Sequence, residues 1–158
     1  KPVGRLDKDS TGLIILTNDG EFINEMTHPS IKVPKVYLVQ INGKFTADDA
    51  EKMLNGIVIE TDSGEKKTAY AETLPIEVNS KSSEIQVVLY QGINRQIRKM
   101  FAKLGFEVKS LKRIQHATLT LEGLKRGQIK AIKPKQVKEL KGYIAKIKRE
   151  YAQNSNNG

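Results

Sequence analysis

Val3-Gly4-Arg5-Leu6-Asp7-Lys8-Asp9-Ser10-Thr11-Gly12-Leu13, with the apolar run Ile14-Ile15-Leu16 and the polar turn Thr17-Asn18-Asp19-Gly20 behind it, is the most informative stretch of this chain. Asp7 stands between a flexible Gly4, a cation at Arg5 and an apolar Leu6, an arrangement able to present a nucleophilic carboxylate. Read without its context, an Asp in a Gly/Ser/Thr-rich loop more often caps a turn, here Lys8-Asp9-Ser10-Thr11. Leu13 to Thr17 reads as a buried strand, and Asp19-Gly20 opens a helix over Glu21 to Thr27 that Pro29 stops.

Outward from there, Lys35 to Asn42 alternates, with Tyr37, Val39 and Ile41 on one face. Thr46 and Asp49 have capping-box spacing before a helix of about three turns, and Gly56 suits its C-terminal left-handed position. Strands are predicted at Ile57 to Glu60, Ala69 to Leu74 and Glu84 to Tyr90, with turns at Asp62-Ser63-Gly64 and Asn79-Ser80-Lys81. The loop Gly92-Ile93-Asn94 leads into a helix with Ile97, Met100, Phe101 and Leu104 on its apolar face and Gly105 as stop. Further strands are predicted at Val108 to Ile114, Ala117 to Leu121 and Gln128 to Ile132. A last helix starts at Pro134, carrying Val137, Leu140, Ile144, Ile147 and Tyr151 at spacings of three and four. Strands outnumber helices and short turns join several of them, which implies an α+β domain around a mostly antiparallel sheet.

The 158 residues suit one domain, expected over residues 1–151, with the polar, low-complexity 152–158 as a disordered tail. The absence of cysteine and the presence of only two histidines, His28 and His116, leave no disulfide framework and no zinc-ligand pattern, so no metal is expected and chemistry falls to carboxylates, hydroxyls and cations. No apolar segment approaches the roughly 20 residues of a membrane span, and no signal peptide is seen, so a cytoplasmic protein is expected. The chain begins on Lys1 close to its strongest motif, as a fragment or processed product would.

Charge is distributed unevenly. Of a net +9, residues 1–94 carry 10 Lys/Arg against 14 Asp/Glu, and residues 95–158 carry 17 against 4. A cationic half of this kind is an electrostatic footprint for a polyanion, although a membrane surface or an acidic protein gives the same signature. Arg95, Arg98 and Lys99 also crowd the start of a helix, where cations are disfavoured by about 0.3–1 kcal/mol and something must compensate them.

Together with Lys35-Val36-Tyr37 and Gln91-Gly92-Ile93-Asn94-Arg95-Gln96-Ile97-Arg98-Lys99-Met100, the Gly4-Arg5-Leu6-Asp7 element closely resembles the bacterial ribosomal RNA pseudouridine synthases, from the first residue to about Leu140. The resemblance implies a mixed, mostly antiparallel sheet in two halves flanked by helices, with the active cleft between the halves. It implies site-specific isomerisation of uridine to pseudouridine in rRNA, without a cofactor, by a protein expected to be monomeric. By the same resemblance Asp7 is the essential carboxylate, Arg98 its ion partner, Tyr37 the ring that stacks on the target base, and Ile97 a wall of the uracil pocket. Arg5 braces the space left by a flipped nucleotide. Arg95, Lys99, Lys109, Lys112 and Arg113 are expected to bind RNA, the last four with Lys103 through its backbone, although each equally suits a solvated surface charge. Relatives of this branch carry a small RNA-binding module upstream. Ile114-Gln115-His116-Ala117 and Lys130 depart from the common pattern, which bears on the subgroup and not on the candidate catalytic set. Two other readings fit the same residues: a non-catalytic RNA-binding fragment acting in ribosome assembly, and a synthase directed at tRNA.

Overall fold

A computed structural model describes residues 1–157. Its elements run β1 (Thr11–Gly12), α1 (Gly20–Thr27), β2 (Lys35–Asn42), α2 (Ala47–Asn55), β3 (Ile57–Glu60), β4 (Lys66–Ala69), β5 (Glu72–Val78), β6 (Ser82–Leu89), α3 (Gln96–Lys103), β7 (Val108–His116), β8 (Leu119–Thr120) and α4 (Pro134–Asn157). Six strands form one mixed sheet in the order β1-β7-β2-β6-β5, with β8 hairpinned onto β7, and β3 and β4 form a separate two-stranded ribbon. Only β1 runs parallel to its neighbour, β7. The α+β class read from the sequence is the observed one.

The alternation in β2 does what period-2 patterning dictates: Val39 and Ile41 are buried, and β6 buries Ser83, Ile85, Val87 and Leu89 opposite them. On that face α3 lays down Ile97, Met100 and Phe101, and Phe45, Phe101 and Phe106 meet with ring centroids 5.8–6.4 Å apart. α2 joins this cluster through Met53, held by the predicted capping box, in which the Thr46 hydroxyl accepts from the Asp49 N–H and the Asp49 carboxylate accepts from the Thr46 N–H. A second cluster gathers Val3, Ile15, Met26, Val33, Ala117, Leu140 and Ile144, drawn from the N-terminal stretch, α1 and the loop after it, the residue following β7, and α4. The two clusters flank a cavity of about 730 Å³.

Four local expectations change. Leu13 to Thr17 does not form a continuous strand. Leu13 exchanges hydrogen bonds with Arg113, whereas the Ile15 carbonyl accepts from Val3 and Leu16 bridges Pro2, so the run divides its bonds between two partners. Ala69 to Leu74 is split into β4 and β5, because Tyr70 donates to the Gln91 side chain and Ala71 to the Met53 carbonyl instead of to one ladder. Gln128 to Ile132 is irregular: Gly127 has φ +80°, the Gln128 amide oxygen accepts from the Lys125 N–H, and Ile129 is 88% exposed. Finally, α4 extends through 152–157, where composition predicts disorder. Its apolar stripe anchors at Leu140 and Ile144, and no Pro or Gly follows Gly142 to stop propagation before Gly158, which lies outside the described residues. No helix of the described residues is long and apolar enough to cross a membrane.

Gly12 is the tightest point of the sheet. It has φ +113°, and a Cβ there would lie 2.2 Å from the Arg113 carbonyl oxygen, so only glycine permits β1 to pass this close to β7.

Candidate active site

Asp7 lies on the loop between Gly4, with φ +72°, and β1, and its carbonyl accepts from Ser10 N–H at 2.9 Å in a turn that holds the side chain at the cavity. Its carboxylate is 21% exposed and has Arg95 Nη1 at 3.8 Å. Arg95 takes the left-handed conformation (φ 55°) as the N-cap of α3. There it binds Asp9 with both terminal nitrogens, each at 3.1 Å from a carboxylate oxygen, and this hydrogen bonding holds the Asp9 carboxyl below the usual carboxylate range. Arg98, one turn further along α3 and 16% exposed, donates from Nη2 to the Asp9 carbonyl at 2.9 Å and lies 3.6 Å from its Oδ1.

The expected Arg98–Asp7 pair is therefore not formed. Asp9 comes between α3 and Asp7 and engages both arginines, and Arg95, bent over by its positive φ, is the cation near Asp7. Arg98 Nε is buried with no hydrogen-bond partner among the described residues, as is Ser10 Oγ. The sequence does contain a trace of Asp9: it stands two residues from Asp7 in the same loop, with equal claim on a helix bearing two arginines.

Tyr37 lines the cavity from β2, directly opposite Arg113 in the ladder with β7. Burial raises its phenol above the ordinary value; the Arg113 guanidinium opposes the rise, and the Asp7 charge adds to it. Tyr37 thus faces the carboxylate and a buried cation at once. Ile97 is buried and Arg5 exposed, and both line the same cavity.

Asp7, Arg95, Tyr37 and Ile97 are thereby gathered at one cavity from elements far apart in sequence, and the chain matches the RNA pseudouridylate synthase family over residues 1–103. The chain belongs to that family. Pseudouridylate synthases of known sequence cover nearly all of it: it is 39% identical over 140 residues to a ribosomal large subunit pseudouridine synthase B of Bacillus subtilis, covering 89% of this chain and 57% of that protein. It is 33% identical over 146 residues to an uncharacterized RNA pseudouridine synthase of Borreliella burgdorferi, covering 92% and 55% respectively. A solved pseudouridylate synthase superposes with a TM-score of 0.79 at 27% identity, over 88% of this chain and 58% of the other. The chain thus spans a little over half the length of the curated relatives it matches.

The expected RNA-contacting cations of this pseudouridylate synthase family member divide. Lys109 and Lys112 are exposed, Lys109 with a 3.2 Å bridge to Glu107. Lys99 is tied to Asp62 at 3.0 Å, and Asp62 also accepts from Asn94, so the β3–β4 turn is fastened to the start of α3. Arg113 departs from expectation. It is 2% exposed and cannot lie on a surface phosphate, because alternation along β7 turns Leu111 and Arg113 inward and Lys112 outward. Its Nε donates to the Leu13 carbonyl at 2.8 Å. Lys35 and His116, to which the sequence alone assigns no role at the site, also line the cavity; they are paired in register, a juxtaposition visible only once β2 and β7 are set side by side.

Proposed function

We propose that this chain is the catalytic part of an enzyme that isomerises a uridine of ribosomal RNA to pseudouridine, with Asp7 as the essential carboxylate. One observation carries the reading: a part-exposed carboxylate at the mouth of a cavity whose walls are a phenol, an apolar side chain and several cations, a composition suited to a planar, polar base and a ribose. The reaction breaks the bond between uracil N1 and ribose C1′, turns the base over, and rejoins it through C5. Asp7 assists either by bonding to C1′ or by taking a proton from the sugar. Either task needs the carboxylate ionised, and Arg95 at 3.8 Å supplies the opposing charge. Arg98 and the rest of Arg95 act through Asp9, holding the loop and thereby the position of Asp7. Tyr37 offers a flat surface for the detached base, and Arg5, exposed at the rim, is in position to brace a strand whose nucleotide has been flipped out.

The rRNA assignment follows the B. subtilis relative's name, and the exposed Lys109 and Lys112 suit backbone contacts that supply affinity without sequence information. The decisive experiment is Asp7→Asn in the full-length protein, with turnover followed by tritium release from 5-[³H]uridine rRNA. The substitution keeps size and removes charge, so turnover should vanish while RNA affinity stays within a few fold. Substantial turnover by the Asn variant refutes the assignment.

A further inference from the structure

The cavity has a second charged wall that the chemistry of Asp7 does not use. Lys35, at the start of β2, and Arg113, opposite Tyr37 on β7, both line it. Arg113 is 98% buried by its 2% exposure, and its Nη2 has no hydrogen-bond partner among the described residues. Lys35 likewise makes no ion pair with a carboxylate of the described residues. The acids nearest the cavity are committed elsewhere: Asp7 and Asp9 to Arg95, Asp62 to Lys99 and Asn94. His116, buried beside the two cations, adds no charge and has neither ring nitrogen bonded among the described residues.

A buried cation and a half-buried one side by side without a counter-ion are costly, so this wall calls for an anion brought by something else. Burial and the Arg113 charge push the Lys35 ammonium down to about 8, and burial with both cations pushes His116 down to about 3. Resting on the reaction proposed above, the anion has an obvious source. When N1–C1′ breaks, the bond's electron pair stays on N1 and spreads to O2 and O4, while C1′ either bonds to an Asp7 oxygen or becomes doubly bonded to C2′, the C2′–H electrons forming that bond as Asp7 takes the C2′ proton. The base is then a uracil anion. On return, C5 bonds to C1′, the Asp7 oxygen leaves or hands its proton back to C2′, and the C5 proton ends on N1, so the sum is an isomerisation.

We infer that the Lys35–Arg113 wall receives the negative charge of the detached uracil, holding the free base as an anion while it turns over. Stabilisation aimed at charge that appears only after bond breaking is the kind that accelerates a reaction. A backbone phosphate flanking the flipped nucleotide shares the anionic chemistry, and the test separates the two.

Binding of three small probes to the full-length protein at pH 7 would be measured by calorimetry: uracil, which is neutral; 5-nitrouracil, which is ionised; and dimethyl phosphate. The anionic base should bind about tenfold or more tighter than uracil, and that preference should collapse in Lys35→Gln and Arg113→Gln and persist in part in Arg113→Lys. Because Arg113 is buried, the Lys35→Gln result decides if the Arg113 variants unfold in a thermal melt. Equal binding of uracil and 5-nitrouracil, no detectable binding of 5-nitrouracil, or a preference unchanged by Lys35→Gln overturns the inference. Displacement of 5-nitrouracil by dimethyl phosphate at equal or lower concentration gives the wall to the RNA backbone and overturns it too. None of these readouts depends on turnover, so failure of the Asp7→Asn test and failure of this one are separate results.

Discussion

The two sides of the cavity handle positive charge in opposite ways. On the loop side both arginines of α3's start meet an acid: Arg95 spans Asp7 and Asp9, and Arg98 holds the Asp9 carbonyl and lies 3.6 Å from its carboxylate. On the sheet side Lys35 and Arg113 meet no carboxylate among the described residues, and the neighbouring imidazole of His116 is held neutral by burial and by both cations. The loop side is exposed enough for water to screen its pairs, so it contributes geometry more than energy. On the sheet side Arg113 is buried and Lys35 half-buried, so their uncompensated charge is a standing cost that the native fold bears. A site that carries such a cost on one wall only is arranged for a ligand whose charge arrives on that wall.

The walls meet where β1 passes over β7, and that seam gives the largest expected effect. Gly12→Ala places a methyl 2.2 Å from the Arg113 carbonyl at φ +113°. Urea denaturation should show a loss of about 3–5 kcal/mol from strain and steric conflict together. A loss below about 1 kcal/mol would mean that the two walls are not fixed through this crossing.

Next in size is the acid response of the sheet side. His116 is neutral in the fold down to about pH 3 but takes a proton at about 6.5 when unfolded. The unfolded chain therefore binds more protons between these values, and the stability that His116 contributes, complete above pH 6.5, is lost as pH falls toward 3, by roughly 4 kcal/mol. Asp9, Asp19 and Asp62, all held below their ordinary values, lose stability in the same direction as they protonate. The difference in pH–stability curves between the wild type and His116→Gln isolates the imidazole. Parallel curves would show that it is not buried beside the cations.

Lys35 responds on the alkaline side with a slope of the same sign, because its pKa is also depressed in the fold. Its folded form sheds a proton near pH 8 and its unfolded form near 10.5, so stability should rise across that window by about 2 kcal/mol as the buried charge disappears. Lys35→Met should flatten the rise, measured by chemical denaturation at several pH values. The smallest effect belongs to the loop side. A double-mutant cycle on Arg95→Ala and Asp9→Ala should give a coupling in folding stability near the limit of detection, while either single variant lowers turnover by loosening the Asp7 loop. A large stability coupling would erase the contrast between the walls.

The parts of this molecule legible in its sequence are those decided locally. β2 appears at its predicted bounds because alternation specifies both its pleat and its buried face, and α2 because its cap is written in Thr46 and Asp49. Asp7, Tyr37 and Ile97 were placed at the site through the resemblance, and the fold does bring them to one cavity. What stayed hidden is what depends on distant partners. Arg113 was expected at the surface because its charge outweighed its position; the parity shared with Leu111 pointed inward, but only the crossing of β1 supplies the Leu13 carbonyl that makes burial tolerable. The choice of Arg95 over Arg98 for Asp7 was equally out of reach, since a left-handed arginine at a helix N-cap leaves no mark in composition.

The bond from Arg113 to Leu13 joins residues 100 positions apart, and Val3 is held from Ile15 within the same short N-terminal stretch. β2, β6 and α3 can assemble without this stretch, whereas the loop bearing Asp7 gains order only after nearly the whole chain has collapsed around it. The Asp7 loop and the residues that follow it are fastened to the rest of the fold by contacts that reach across 86 to 100 positions: Asp9 to Arg95 and Arg98, and Leu13 to Arg113. Amide protons of the Asp7 loop, which depends on these distant contacts, should then exchange sooner than those of β2, which is laddered on both sides.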